Sequence, residues 1–337
     1  MNNDKNIKKS IASANINFLI GSGVSAPFLE ILTNIEQKLS EAEESGDPDE
    51  KKRIKKEYFK KSIRKNICLL TIPFMSLPQQ FLQYKKFYKT INALILQRES
   101  SLLSKQVNIF TTNVDIFSEI ALEDTGIEFN DGFHGRFNPK YSIGNFKKSY
   151  YKTSLHYENT SEIPVFNVIK LHGSVSWCTE DKNIKLDKDL KLVKEISNSS
   201  DDKFKENYDK LMIVNPSKKK FRDTVLNETH YDLLRMYNNE LEKENSVLFV
   251  MGFSFADEHI KELTLRAANT NPTCVIYIFV HDNSNDIYKE LKDDAKNNNI
   301  RLLTEEKYNF EKINNFFFKQ LNKDNQKLED STEINQQ

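Results

Sequence analysis

Apolar residues in this chain gather into short runs that end on glycine, serine or asparagine, the pattern of buried strands closing in tight turns. The first run is Ile16 to Ile20, bounded by Gly21, Ser22 and Gly23. Comparable runs return at Val107 to Thr112, Val165 to Leu171, Leu211 to Val214, Ser246 to Met251 and Cys274 to Val280, and amphipathic helical patterns follow several of them. Such alternation predicts an α/β fold: a Rossmann-like, mostly parallel sheet with helices on both faces.

Between the first two runs, from about Asn34 to Gln106, the pattern changes to long Lys/Glu-rich helices broken by Gly46-Asp47-Pro48, Pro73 and Pro78. This reads as a helical insertion within one domain spanning 1–321. Its apolar residues exceed what one core needs, so a self-assembly surface is expected there. The stretch Glu180 to Lys210 is highly charged and holds Ser197-Asn198-Ser199-Ser200, which predicts an exposed excursion without chemistry. Residues 322–337 are polar and aperiodic and are expected to form a disordered tail.

Charge changes this picture only by exclusion. The 337 residues carry 49 Lys+Arg against 49 Asp+Glu, so no bulk field draws the molecule to nucleic acid or an anionic membrane. One local basic cluster, Lys218 to Arg222, stands out, and such runs are usually solvated faces. No apolar run approaches the roughly 20 residues of a membrane helix. The start, MNNDKNIKKS, lacks the apolar core of a secretory signal, which predicts a cytoplasmic protein. Cys68, Cys178 and Cys274 are far apart and form no C-x-x-C pair, so no zinc is expected.

Four strand ends carry the candidate chemistry. Gly21-Ser22-Gly23-Val24-Ser25 has the glycines and hydroxyls that let a backbone approach and donate to a pyrophosphate, or it is an ordinary strand-to-helix turn. Thr111-Thr112-Asn113-Val114-Asp115 puts an amide and a carboxylate at a sheet edge, where open α/β sheets bind ligands, or it caps a helix. Lys170-Leu171-His172-Gly173-Ser174 places an imidazole, a general base near neutrality, beside a glycine; a lone histidine there is more often structural. Gly252-Phe253-Ser254 offers a fourth glycine and serine, while Asp257 and His259 read as caps of the helix that follows. Asp131 to Phe137 has a composition suited to closing over a ligand, or to a plain turn.

In this order and spacing, GSGVS, TTNVD, KLHGS and GFSFADEHI resemble the sirtuin, or silent information regulator, family. The likeness is to its divergent bacterial branch, in which a sirtuin-like domain destroys NAD in antiphage defence. The resemblance implies NAD as substrate, with Gly21, Ser22, Gly23 and Ser25 at its phosphates. It implies Asn113 on the ribose or attacking water, Asp115 on the carboxamide and His172 as base. Thr112, Gly173, Ser174, Gly252 and Ser254 are expected to complete the cradle.

The paired cysteine ligands of the deacetylases are missing, and no G-I-P-D-F-R run follows GSGVS. The expected activity is therefore an NAD glycohydrolase giving nicotinamide and ADP-ribose. An NAD-dependent deacylase or ADP-ribosyl transferase, or a non-catalytic subunit sensing NAD or ADP-ribose, are the alternatives. A free-running NAD hydrolase is lethal, so control through a homo-oligomer or a partner is expected. The family implies a HerA-type hexameric ATPase, with short Argonaute systems as runner-up.

Overall fold

A computed structural model describes residues 2–30, 38–39, 41–42, 45–71, 78–98, 103–154, 159–180, 183–214, 224–282 and 286–321. The Lys218 to Arg222 cluster and the tail from 322 to 337 lie outside the described residues.

The strands are β1 Asn15–Ile20, β2 Gln106–Thr111, β3 Phe129–Asn130, β4 Phe133–His134, β5 Lys140–Tyr141, β6 Tyr150–Thr153 and β7 Thr160–Ile163. They continue as β8 Val165–Lys170, β9 Gly173–Glu180, β10 Asn183–Leu186, β11 Leu211–Ile213, β12 Ser246–Met251, β13 Val275–Phe279 and β14 Ile300–Leu303. The helices are α1 Asn2–Ser13, α2 Pro48–Tyr58, α3 Asn66–Thr71, α4 Gln79–Leu96, α5 Phe117–Thr125, α6 Lys191–Asn198, α7 Asp201–Tyr208, α8 Thr224–Leu241, α9 Glu258–Thr270, α10 Ile287–Asp293 and α11, residues 310–321. A π-helical turn, Phe59–Ile63, joins α2 towards α3.

Seven strands form the main sheet in the order β14-β13-β12-β1-β2-β8-β3, and every pairing in it is parallel. The predicted Rossmann-like sheet is thus what the chain builds. Side chains alternate across it with period two. Phe18, Ile109, Val168 and Phe249 point into one core with residues of α1, α4, α5 and α11. Leu19, Phe110, Ile169 and Leu248 point into the other, under α8, α9 and α10.

The apolar side of α4, Phe81, Tyr84, Phe87, Tyr88 and Ile91, is buried in the first core, packed edge-on to Phe18 and Phe166. These residues cover the sheet, while Leu82 and Leu96 of the same helix stay exposed on its outer side. One expectation changes: the charged stretch, described from 183 to 210, is folded rather than an excursion. Leu190, Val193 and Ile196 in and before α6, and Phe204 and Tyr208 in α7, recur at i+3 and i+4 and are all buried, so the charges decorate only the outer faces.

A second sheet, β11-β9-β10-β5-β4, is antiparallel throughout. Its strand β9 follows β8 after two intervening residues, Leu171 and His172, so His172 lies in the turn where the two sheets meet.

Candidate active site

The register aligns the ends of four strands. Ile20 pairs with both Thr111 and Met251, and Thr111 pairs with Lys170, so Gly21, Thr112, Leu171 and Gly252 leave one common edge. The chain builds outward from β1 through β2 to β8 and then returns to its other side at β12. Loops on the two sides of β1 therefore diverge to opposite faces. The crevice this opens at the carboxyl ends is where doubly wound sheets bind ligands.

The glycine-serine loop differs in detail from a free phosphate cradle. It forms a 3-10 turn, Ser22–Val24. The N–H groups of Gly21 and Gly23 donate to Met251 O and Gly252 O (3.0 and 2.9 Å), and those of Val24 and Ser25 donate to Gly21 O and Ser22 O. A Cβ on Gly21 would stand 2.5 Å from Gly252 O, and one on Gly252, at φ +58°, would stand 2.6 Å from Val24 N. These glycines let the β1 and β12 loops pack on each other. Gly252→Ala is expected to cost about 1–3 kcal/mol, from strain at positive φ plus the displaced loop, read as a lower urea midpoint with an unchanged slope.

Ser25 binds that loop to the next. Its buried hydroxyl donates to Asp115 Oδ2 (2.8 Å), while Asn113 Nδ2 donates to Ser25 Oγ (3.1 Å). Burial and the nearby Asp115 carboxylate push the Tyr84 phenol well up, so it stays protonated and serves as donor to Ser25 Oγ at 2.9 Å. One donor and two acceptor positions of a single hydroxyl are thereby filled. Ser25→Ala strips partners from three buried groups and is expected to destabilise the protein by about 1–3 kcal/mol, measured by the same denaturation.

In the second loop, Thr112 N donates to Ile20 O (3.2 Å) and Thr111 Oγ1 accepts from Asn113 N (3.0 Å). Asp115 Oδ1 accepts from Phe117 N (3.2 Å) at the start of α5. Asn113 Nδ2 also donates to Gly21 O (3.1 Å), yet its Oδ1 is buried without a hydrogen-bond partner. Asn113 and Asp115 line a cavity of about 20 Å³ with Ser22, Ser25, Ser62 and Asn66. Helical residues before α4 thus supply one wall of the site.

Lys170 holds this loop from beneath. Its ammonium is 1% exposed, donates to the backbone carbonyl of Asp115 and pairs with Glu119 at 3.1 Å. Burial pushes the Glu119 carboxyl up, against the pull of Lys170.

His172 is buried, and its Nε2 lies 3.0 Å from Asp257 Oδ2. Asp257 caps α9 as expected, its Oδ1 accepting from His259 N and Ile260 N (3.1 and 3.4 Å). The second oxygen gives it a further contact that capping does not account for. His230 Nδ1 donates to Leu171 O (2.7 Å), fixing the peptide before His172. Gly173, at φ +75°, makes room for the Met212 carbonyl of β11 and so lets the two strands meet, while the buried Ser174 hydroxyl pairs with Ser176 within β9 (2.9 Å). Ser254 is half-buried beside the β12 loop. Residues 131–137 form the β4 hairpin arm, with Asp131 Oδ1 accepting from Phe133 N (3.0 Å) and Phe137 fully exposed at its tip.

Among the described residues, no group of three or more His, Cys, Asp or Glu side chains is placed to hold a metal ion, and no helix is long and apolar enough to cross a membrane.

The profile of the SIR2-like domain family matches residues 107–313, more than half of the chain. That span holds Asn113, Asp115, His172 and Asp257 and begins after the glycine-serine loop. No curated protein matches the chain in sequence. Among solved structures, one from "Structural Basis for the Mechanism and Regulation of Sir2 Enzymes" aligns over 96% of this chain and 98% of its own, at 10% identity and a TM-score of 0.41. Sir2Tm bound to a propionylated peptide aligns over 92% of this chain and 95% of its own, at 15% identity and a TM-score of 0.45.

Proposed function

This chain belongs to the SIR2-like domain family, and from that premise we propose that it hydrolyses NAD at the nicotinamide-ribose bond, giving nicotinamide and ADP-ribose. The observation that carries the reading is the pair of groups at one sheet edge. Asn113 Oδ1 is a buried acceptor with no protein partner, and His172 is a buried imidazole anchored by Asp257. An unpartnered buried acceptor costs stability unless a ligand or water fills it, so it suits a ribose hydroxyl or a water molecule.

In this reading Asn113 Oδ1 accepts from the attacking water or the ribose hydroxyl. With Nε2 bonded to Asp257, His172 Nδ1 takes the proton. The bond from C1′ of the ribose to the pyridine nitrogen breaks, and its electron pair neutralises the cationic ring. The water oxygen bonds to C1′ and its proton passes to His172. Asp115, tied to Ser25 and to α5, sets the shape of the nicotinamide side. With the N–H groups of Gly21 and Gly23 engaged, the hydroxyls of Ser22 and Ser254 are assigned to the phosphates.

The experiment that separates hydrolysis from acyl transfer follows nicotinamide release from NAD with and without an acylated lysine peptide. Release at the same rate in both is expected; release only with peptide contradicts the hydrolase. We assign the activity to antiphage defence, with self-assembly or a HerA-type ATPase restraining it.

A further inference from the structure

The helical segment that walls the candidate site has a second side. Tyr58, Ser62 and Asn66 recur every four residues and face the Asn113 cavity. Lys60, Arg64 and Cys68, two residues out of step, fall on the opposite side. There they line a cleft of about 490 Å³ against α6, with Lys65, Lys194 and Ser197. Among the described residues, no carboxylate lines this cleft.

Four cations elsewhere on the same segment are paired. Arg53 is held by Glu50 (2.6 Å), Lys55 by Asp209 (3.3 Å), Lys56 by Asp201 (2.6 Å) and Lys61 by Glu57 (2.7 Å) and Glu30 (3.2 Å). Glu57 and Asp201, which line the adjoining cavity, are thus already paired. Among the described residues Lys60 and Arg64 have no ion-pair partner, while Lys65 and Lys194 donate to the backbone carbonyls of Phe28 and Asp189 (2.8 and 2.7 Å). Four like charges line one concavity, and among the described residues no carboxylate lines it with them. Such an arrangement repels itself unless an anion enters.

We propose that this cleft, between the π-helical turn and α6, binds a phosphate-bearing small molecule of nucleotide size. Its volume lies within the roughly 300–1,000 Å³ of small-ligand sites. The guanidinium of Arg64 suits bidentate contact with phosphate oxygens and the lysines act as point charges. Ser197 adds a hydroxyl, and Ile67 and Cys68 give an apolar floor for a base. Because cleft and candidate site occupy opposite sides of one segment, binding here does not depend on NAD chemistry.

The test is calorimetric titration of the full chain with sodium tripolyphosphate, then with a 20-nucleotide single strand. Saturable one-to-one binding of tripolyphosphate is expected, weakened about tenfold or more in Lys60→Ala/Arg64→Ala and in Lys194→Ala, and unchanged in Lys61→Ala. Lys60 and Arg64 are exposed, so the double variant is expected to melt like the wild type. Absence of saturable binding by the wild type overturns the proposal. So does undiminished binding by the double variant, which moves the phosphate to another site. Much tighter binding of the oligonucleotide, lost in the same variants, overturns it in favour of nucleic acid.

Discussion

His172→Ala is expected to lower the rate of NAD cleavage by about 10²–10⁴-fold, the usual contribution of a positioned general base, beside a loss of about 1–3 kcal/mol in stability as Asp257 Oδ2 loses its imidazole partner. The imidazole is set by three independent contacts: Asp257 on its ring, His230 on the peptide before it, and Val214 N on its own carbonyl at 2.8 Å. All three act on position, so the loss falls on turnover more than on NAD binding. Asp257→Asn keeps the α9 cap, because an amide oxygen still accepts from His259 N and Ile260 N. It replaces the acceptor facing His172 Nε2 with a group that can donate, which favours the wrong tautomer. A loss of about 10²-fold in kcat with an intact fold is expected, and a merely structural Asp257 would leave kcat alone. The pH profile of kcat/KM for Asp257→Asn, set beside that of the wild type, checks the same point.

Lys170→Met carries the largest expected loss of stability, about 3–5 kcal/mol, as for any buried ion pair broken on one side. Glu119 would be left without its ammonium, and the loop carrying Asn113 and Asp115 without the clamp on the Asp115 carbonyl. The pH dependence has a definite sign. Burial already raises the folded-state pKa of Glu119 above the unfolded value of about 4.3, and removing Lys170 raises it further. A carboxyl so raised is at its most favourable below its unfolded pKa, and that advantage is lost as pH rises through the folded pKa. The variant is therefore expected to come closest to the wild type in acid and to fall away towards neutrality. Lys170→Met/Glu119→Gln should recover part of the loss at neutral pH, measured by urea denaturation across the range.

Strand ends were legible in the sequence because each is an apolar run stopped by a small or polar residue, and parallel pairing then lines such ends up. Asn113 and His172 were found in this way, and the structure places both at the expected edge. Asp257 was legible only as a helix cap. Its contact to His172 spans 85 residues and leaves no periodic trace. The glycines at 21, 23 and 252 were visible, but not their mutual packing, which depends on β12 returning beside β1. Ser62 and Asn66 were hidden for a similar reason, since nothing local says which side of a helix will meet a distant loop. In α6 and α7 dense surface charge masked apolar positions at i+3 and i+4, and a composition reading mistook two amphipathic helices for an excursion.

The most direct test of the central claim is incubation of the purified chain with NAD in oxygen-18-labelled water, alone and with a HerA-type ATPase, followed by mass analysis of the products. Nicotinamide and ADP-ribose carrying the label at C1′, both lost in Asn113→Ala and in His172→Ala, is the predicted result. Bound NAD with no nicotinamide released under either condition, or release that survives both substitutions, would contradict it.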